Sequence, residues 1–273
     1  MELLFKNKKE EDRAFIKLVC NDILQNDKNH TCKSDVFAGI FVEGRNREIN
    51  NLEDFASFHS FYVFSEYSYP IYVFINNAKN FLNNREDLIK KYNIIINQIP
   101  ALSHDEYSDF CIKKLYFLIP ENIKHIITIQ SDGMFMKKGY ENYVLNKKFA
   151  YIGSPWLHSP SIDILNSSNE WIPFFKGTRI GNGGLSYRNT DFCRETSKHF
   201  SNLSLRERYT ENKKPPEDLF FSTIANHFFS SPSVEEATEF SIDPLDKDEY
   251  NKKTSFGFHY FSYINPWKQK TIL

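Results

Sequence analysis

Long apolar runs, paired cysteines and an excess of either charge are all missing from this 273-residue chain, and each absence removes a class of protein. No apolar stretch approaches the length of a membrane span, which predicts no transmembrane segment and leaves peripheral membrane contact open. Cys20, Cys32, Cys111 and Cys193 are widely spaced and form no C-x-x-C pair. In a chain too large to need disulfide staples, they read as reduced thiols of a cytoplasmic protein. Lys and Arg (34) balance Asp and Glu (35), and the pI is about 6.7, so no broad basic face is available and nucleic acid is not an expected partner.

Smaller absences follow the same logic. Met1 to Lys9 lacks the apolar core of a signal peptide, so none is expected. Asn-x-Ser/Thr triplets at Asn29, Asn166 and Asn202 arise readily by chance in a chain this rich in Asn and Ser, and they do not argue for secretion. Without a low-complexity linker or an internal repeat, 273 residues read as one domain with one sizeable core.

The pattern that is present alternates between two periods. Lys9 to Gln25 places Phe15, Leu18, Val19 and Ile23 at helical spacing and predicts an amphipathic leading helix. Val36–Val42, Ile71–Ile75, Ile94–Ile99 and Ile123–Gln130 are short apolar runs of strand character. Between them, Leu52–Phe64 and Phe81–Tyr92 read as helices. A third helix begins at the S-x-x-E capping box Ser103 to Glu106, with Tyr107, Phe110, Cys111, Leu115 and Leu118 on one face. This alternation predicts an α/β fold with a mostly parallel central sheet flanked by helices. Such a sheet binds ligands where the carboxyl ends of its strands meet their loops.

Several polar groups fall at or near those ends. Asp132 follows the strand Ile126–Ile129, where a carboxylate suits a hard cation, although an Asp here also serves as a turn cap. Trp156 closes the β-rich run Phe149–Trp156, and an indole there suits either a sugar ring or the core. Gly181-Asn182-Gly183-Gly184 removes three Cβ atoms in four positions, permitting a ligand to lie against the main chain or the chain to turn tightly. Pro216-Glu217-Asp218 opens a helix, whose dipole is expected to lower the Asp218 pKa and keep it ionised as a base. His259, in the aromatic segment Phe256–Tyr260, is a second cation-ligand type, or a buried structural His.

In order, Val42-Glu43-Gly44-Arg45, Gln130-Ser131-Asp132, Tyr151–Trp156, Gly181–Arg188, Pro216-Glu217-Asp218 and Phe256–His259 resemble an uncharacterised family of glycosyltransferases with the GT-A fold. The resemblance runs from Asp35 to Tyr263, leaving residues 1–34 as a helical extension and 35–273 as the glycosyltransferase domain. It implies a donor site at Val42, Glu43, Arg45, Gln130, Ser131, Asp132, Gly183 and Gly184, with Gly183-Gly184 as a loop near the transferred sugar. It also implies a catalytic pair Glu217 and Asp218, with Asp218 as the base, and a Mn²⁺ or Mg²⁺ ion held by Asp132 and His259. Trp156 becomes an acceptor platform. Gln130 stands where the family's Asp-x-Asp element has its first acid, which removes one charge from the site while leaving a hydrogen-bonding amide.

The expected reaction is transfer of a sugar from a nucleotide-sugar donor to a hydroxyl acceptor such as a glycan, with inversion. Two other classes compete with it. One is a noncatalytic nucleotide-sugar or carbohydrate-binding module, motivated by Gln130. The other is a metal-dependent nucleotidyltransferase, disfavoured because no Lys- or Arg-bearing glycine loop follows the first strand.

Overall fold

Residues 2–45, 52–78, 86–156, 160–176, 179–207 and 215–260 are described by the computed structural model. Helix α1 spans Glu2–Gln25 and therefore starts seven residues before the Lys9 expected from periodicity. Phe15, Val19, Cys20 and Ile23 are buried, whereas Leu18, expected on the same stripe, is 55% exposed. The stripe is rotated toward Cys20, which takes the inward position that Leu18 was expected to hold. Far from hanging free, α1 shares an apolar cluster with Met134, Met136, Leu245, Tyr250 and Phe258.

The predicted alternation then follows in β1 (Phe37–Glu43), α2 (Leu52–Phe64), β2 (Ile71–Ile75), α3 (Glu86–Lys91), β3 (Ile94–Gln98), α4 (His104–Lys113) and β4 (His125–Ile129). Of the helix expected over 81–92, residues 81–85 lie outside the described residues. The capping box of α4 is formed: Ser103 Oγ accepts from the Glu106 N–H, and the Ser103 N–H donates to Glu106 Oε2. Beyond Lys113 the chain tightens into a 3₁₀ turn, Leu115–Phe117, and the helical face expected to continue is lost. Leu115 stays buried but Leu118 is 54% exposed, because three residues per turn carry it off the stripe.

The rest of the chain supplies β5 (Gly133–Phe135), α5 (Tyr140–Lys147), β6 (Tyr151–Pro155), β7 (Ser161–Leu165), β8 (Trp171–Lys176), β9 (Ile180–Asn189), α6 (Thr190–Phe200) and β10 (Leu205–Glu207). It ends in α7 (Glu217–Phe228), α8 (Val234–Phe240), β11 (Ser241–Ile242), α9 (Lys247–Lys252) and β12 (Gly257–His259). The central sheet runs β3-β2-β1-β4-β9-β6. Its first four strands are parallel, and β9 is antiparallel to both its neighbours. Two three-stranded sheets, β10-β7-β8 and β11-β12-β5, flank it.

Alternate residues of each strand enter opposite cores. Phe37 and Phe41 of β1 join Ile71, Val73 and Ile127 on one face, while Ala38 and Ile40 join Tyr72, Phe74 and Ile126 on the other. Helices α2, α5 and α8 contribute to the first layer and α4, α6 and α7 to the second. The mostly parallel, helix-flanked sheet is thus as the alternation predicts. Among the described residues no helix is long and apolar enough to cross a membrane.

Candidate functional site

Because β1 and β4 are parallel neighbours, their carboxyl ends open on the same rim, and a cleft of about 440 Å³ lies there. Six of the eight expected donor residues, Val42, Glu43, Arg45, Gln130, Ser131 and Asp132, line it, and Gly183 and Gly184 are not among its lining residues. Glu43 is buried, and its carboxylate accepts from the Arg45 N–H, Nε and Nη2, each at 2.9 Å. The Arg45 side chain itself remains 74% exposed. Across the cleft stand His104 and Tyr107 at the start of α4, which the sequence reading placed only on a helix. The capping box was their available signal, since it fixes where α4 begins at the rim.

Asp132 is held by its neighbours' main chain. Ser57 of α2 lies within hydrogen-bond reach of the carbonyls of Gln130 (2.8 Å), Ser131 (3.2 Å) and Gly133 (3.0 Å), and the Gln130 N–H donates to the Gly184 carbonyl. A buried hydroxyl among three carbonyls fixes the turn that presents the carboxylate.

Gly183-Gly184, expected as a loop near the transferred sugar, lies instead within strand β9, as does the whole run Gly181–Arg188. Its glycines make room for side chains from distant segments. A Cβ at position 183 would sit 2.9 Å from Asp218 Cβ, and one at position 184 would overlap the His259 ring. The close approach lets the Gly183 N–H donate to Asp218 Oδ2 at 3.1 Å, while the Leu219 N–H donates to Oδ1 at 2.7 Å.

Burial, and then the adjacent Glu217 carboxylate, push the Asp218 pKa up to about 6 against the opposing pull of Leu219, Arg188 and Gly183. This reverses the expected lowering by the helix dipole, because desolvation in the tertiary structure outweighs the N–H groups of one helix end. Glu217, expected in the catalytic pair, is 4% exposed and bound to Arg188. Its Oε2 accepts from Arg188 Nη1 at 2.7 Å, and the same Nη1 donates to Tyr116 Oη at 2.7 Å. Glu217 is therefore a structural anchor between α7 and β9, not a group open to the cleft.

His259 is half-buried beside Gly184. Its Nε2 lies 3.5 Å from Asp132 Oδ1 and its Nδ1 3.5 Å from Asp243 Oδ2. Burial alone lowers its pKa, but the hydrogen bond to Asp243 and the charges of Asp132, Asp243 and Asp218 together raise it. Asp132, Gly184, Asp218 and His259 are therefore neighbours on one rim. Trp156 packs its ring edge over Gly181, where a Cβ would come within 2.5 Å of Cη2, and leans partly exposed on the apolar layer below. Asp243 and Asn182 also join this cluster: Asn182 lies inside the glycine motif, where its own side chain carries no expected role, and Asp243 lies in no motif that would mark it.

Among the described residues no group of three or more His, Cys, Asp or Glu side chains is arranged to hold a metal ion. The Asp132 and His259 pair nevertheless fits a divalent cation of the kind that takes one or two protein ligands and completes its shell with phosphate oxygens and water. One oxygen and one imidazole nitrogen 3.5 Å apart can face the same ion.

The pattern of the family described as "Protein of unknown function (DUF5672)" matches residues 91–259. That span contains Asp132, the β9 glycines, Glu217, Asp218 and His259, and begins after β1 and β2. No curated protein matches. Among solved structures, mouse xyloside xylosyltransferase 1 in its apo form is similar, with a TM-score of 0.50 and 10% identity, over 84% of this chain and 97% of that one. A 4-diphosphocytidyl-2C-methyl-D-erythritol synthase from Anaerococcus prevotii DSM 20548 is similar at a TM-score of 0.37 and 11% identity, over 68% of this chain and 81% of that one. At 10% identity the xylosyltransferase likeness shows the fold alone, a mixed α/β architecture with a mostly parallel central sheet flanked by helices.

Proposed function

The chain belongs to the family of unknown function whose pattern it matches over residues 91–259, and for it we propose transfer of a sugar from a nucleoside diphosphate donor to a hydroxyl acceptor such as a glycan. One observation carries the reading. Asp218, a carboxylate with a pKa pushed up to about 6, packs against Gly183 next to the Gly184–His259 contact, and His259 lies 3.5 Å from Asp132, which lines a cleft of about 440 Å³.

In the proposed reaction Val42, Glu43, Arg45 and Gln130 border the nucleoside in the cleft, and Asp132 lies at its diphosphate end. Asp218 accepts the proton of the acceptor hydroxyl as that oxygen bonds to the anomeric carbon. The bond from that carbon to the diphosphate oxygen breaks with its electron pair going to the diphosphate, and a direct displacement of this kind inverts the configuration. A base with a pKa near 6 is largely ionised at neutral pH yet basic enough to share a proton in the transition state. Asp132 and His259 would hold Mn²⁺ or Mg²⁺, which supplies positive charge to the leaving diphosphate. Trp156, partly exposed at the end of β6, offers an apolar face to the acceptor ring. A cytoplasmic setting belongs to the same proposal and suits the four free cysteines.

Thermal shift against a panel of nucleotide sugars, with Mn²⁺ and with chelator, tests the reading. A true donor at a hundredfold excess over its Kd should add about 2.7 kcal/mol of stability, and product should form when an acceptor is supplied. No stabilisation by any nucleotide sugar would refute the proposal. Stabilisation without hydrolysis or transfer under any acceptor would instead identify a binding module.

A further inference from the structure

Three segments distant in sequence are laced side by side by their main chains. The Tyr260 N–H donates to the Asp132 carbonyl at 2.9 Å, and the Leu245 N–H donates to the Tyr260 carbonyl at 2.9 Å. The strand bearing His259 therefore runs between the segments bearing Asp132 and Asp243. Its imidazole stands between two carboxylates, at 3.5 Å from each, the outer reach of a hydrogen bond.

Asp243 is itself held. Asn182 of β9 donates Nδ2 to Asp243 Oδ2 at 2.6 Å, and Asn182 Oδ1 accepts from the Gly184 N–H at 3.2 Å. This pair of contacts determines which way the Asn182 amide faces, because only that orientation satisfies both. Of the two contacts only that of Nδ1 with Asp243 has hydrogen-bond geometry, and because the Asp243 carboxylate is an acceptor only, Nδ1 must carry the hydrogen that bonds it. With Nδ1 protonated, a neutral ring presents the lone pair of Nε2, and Nε2 is the nitrogen that faces Asp132.

We infer that Asp243, held in place by Asn182, is the positioning residue that fixes His259 as its Nδ1–H tautomer, with Nε2 turned toward a divalent cation shared with Asp132. The inference rests on the cation reading of Asp132 and His259. It adds a residue that touches neither donor nor acceptor and acts only through the ring it orients. A cation with just two protein ligands depends strongly on the geometry of each, and partners of this kind typically alter metal affinity by about 10–100-fold when removed.

Two readouts on the full-length protein test it. The side-chain ¹⁵N shifts of His259, assigned with His259→Gln, report the tautomer at alkaline pH, where the ring is neutral. Mn²⁺ binding is followed by electron paramagnetic resonance with inorganic pyrophosphate as a diphosphate that assumes no base. Wild type should show the Nδ1–H form. Asp243→Asn should mix in the Nε2–H form and weaken Mn²⁺ about 10–100-fold, and Asp243→Glu should recover part of the loss. Asn182→Ala, which keeps the carboxylate, should move both readouts the same way by less, and it decides the matter if Asp243→Asn does not fold. An Nε2–H tautomer in wild type, or an unchanged tautomer with Mn²⁺ affinity within twofold in these variants, would overturn the inference. If wild type binds no Mn²⁺ even with pyrophosphate, the cation reading falls, and the cation half of this inference with it. The tautomer result still stands or falls independently, so the two failures are distinguishable.

Discussion

At the end of β1, Glu43 is held by Arg45, two residues along the chain, and the guanidinium that holds it is 74% exposed. Across β9 the corresponding contacts span the fold: Arg188 meets Glu217 29 residues away with both side chains almost wholly buried, and Asn182 meets Asp243 61 residues away. The first arrangement pairs a buried carboxylate with a guanidinium that reaches solvent, within a short stretch of chain. The second exists only when β9, α7 and the β11–β12 region have all docked. Charges on the cleft side can thus change with local consequences, whereas those behind Asp218 and His259 are bound up with folding itself.

The largest effect that would sharpen this contrast belongs to Arg188. Arg188→Met should destabilise the protein by about 3–5 kcal/mol in urea unfolding, because it leaves Glu217 buried without its partner. The double change Arg188→Met with Glu217→Leu should recover much of that loss, since the uncompensated charge is then gone. Equal destabilisation by single and double variants would mean that packing, not charge, dominates there.

A smaller cost is expected at position 184, where the absent side chain is what admits the imidazole. Gly184→Ala should cost about 1–3 kcal/mol through overpacking against His259, and should displace the ring from Asp132. Pairing it with His259→Ala should relieve the strain, measurable as a partial return of the unfolding midpoint. An unperturbed Gly184→Ala variant would break the claim that the missing side chain at this position is what admits the imidazole.

The smallest effect is predicted on the cleft side. Arg45→Ala should cost about 1 kcal/mol, because it takes two donors from the buried Glu43 carboxylate while the Arg45 backbone N–H remains to cap it and the lost cation was itself exposed. Its consequence should appear in donor affinity instead. A loss of stability as large as that of Arg188→Met would erase the distinction between the two sides.

The same contrast governs what the sequence makes legible. Apolar runs such as Ile71–Ile75 and the capping box at Ser103 specify their own structure within a few residues, and β2 and α4 form where those signals lie. The cleft residues follow from the topology of a parallel sheet. Position 181 onward could not be read locally, because the space its glycines provide is filled by Asp218 and His259, whose arrival no nearby residue announces. The direction of the Asp218 shift was missed for the same reason: the helix dipole is visible in the sequence, while desolvation by tertiary packing is not. Glu217 shows a similar limit, since first-turn acids are favoured whether they face a cleft or, as here, a buried arginine.

The convergence of Asp218 with Asp132 and His259 as a transfer site is tested most directly by the pH dependence of kcat/KM for sugar transfer in wild type and in Asp218→Asn. A raised carboxyl pKa means that the base is protonated and inactive below it, so the wild-type rate should climb through an acid limb centred near pH 6. Asp218→Asn should lose about 10²–10⁴-fold in rate and the limb with it, while donor binding persists. Undiminished transfer by Asp218→Asn, with the acid limb intact, would contradict the account.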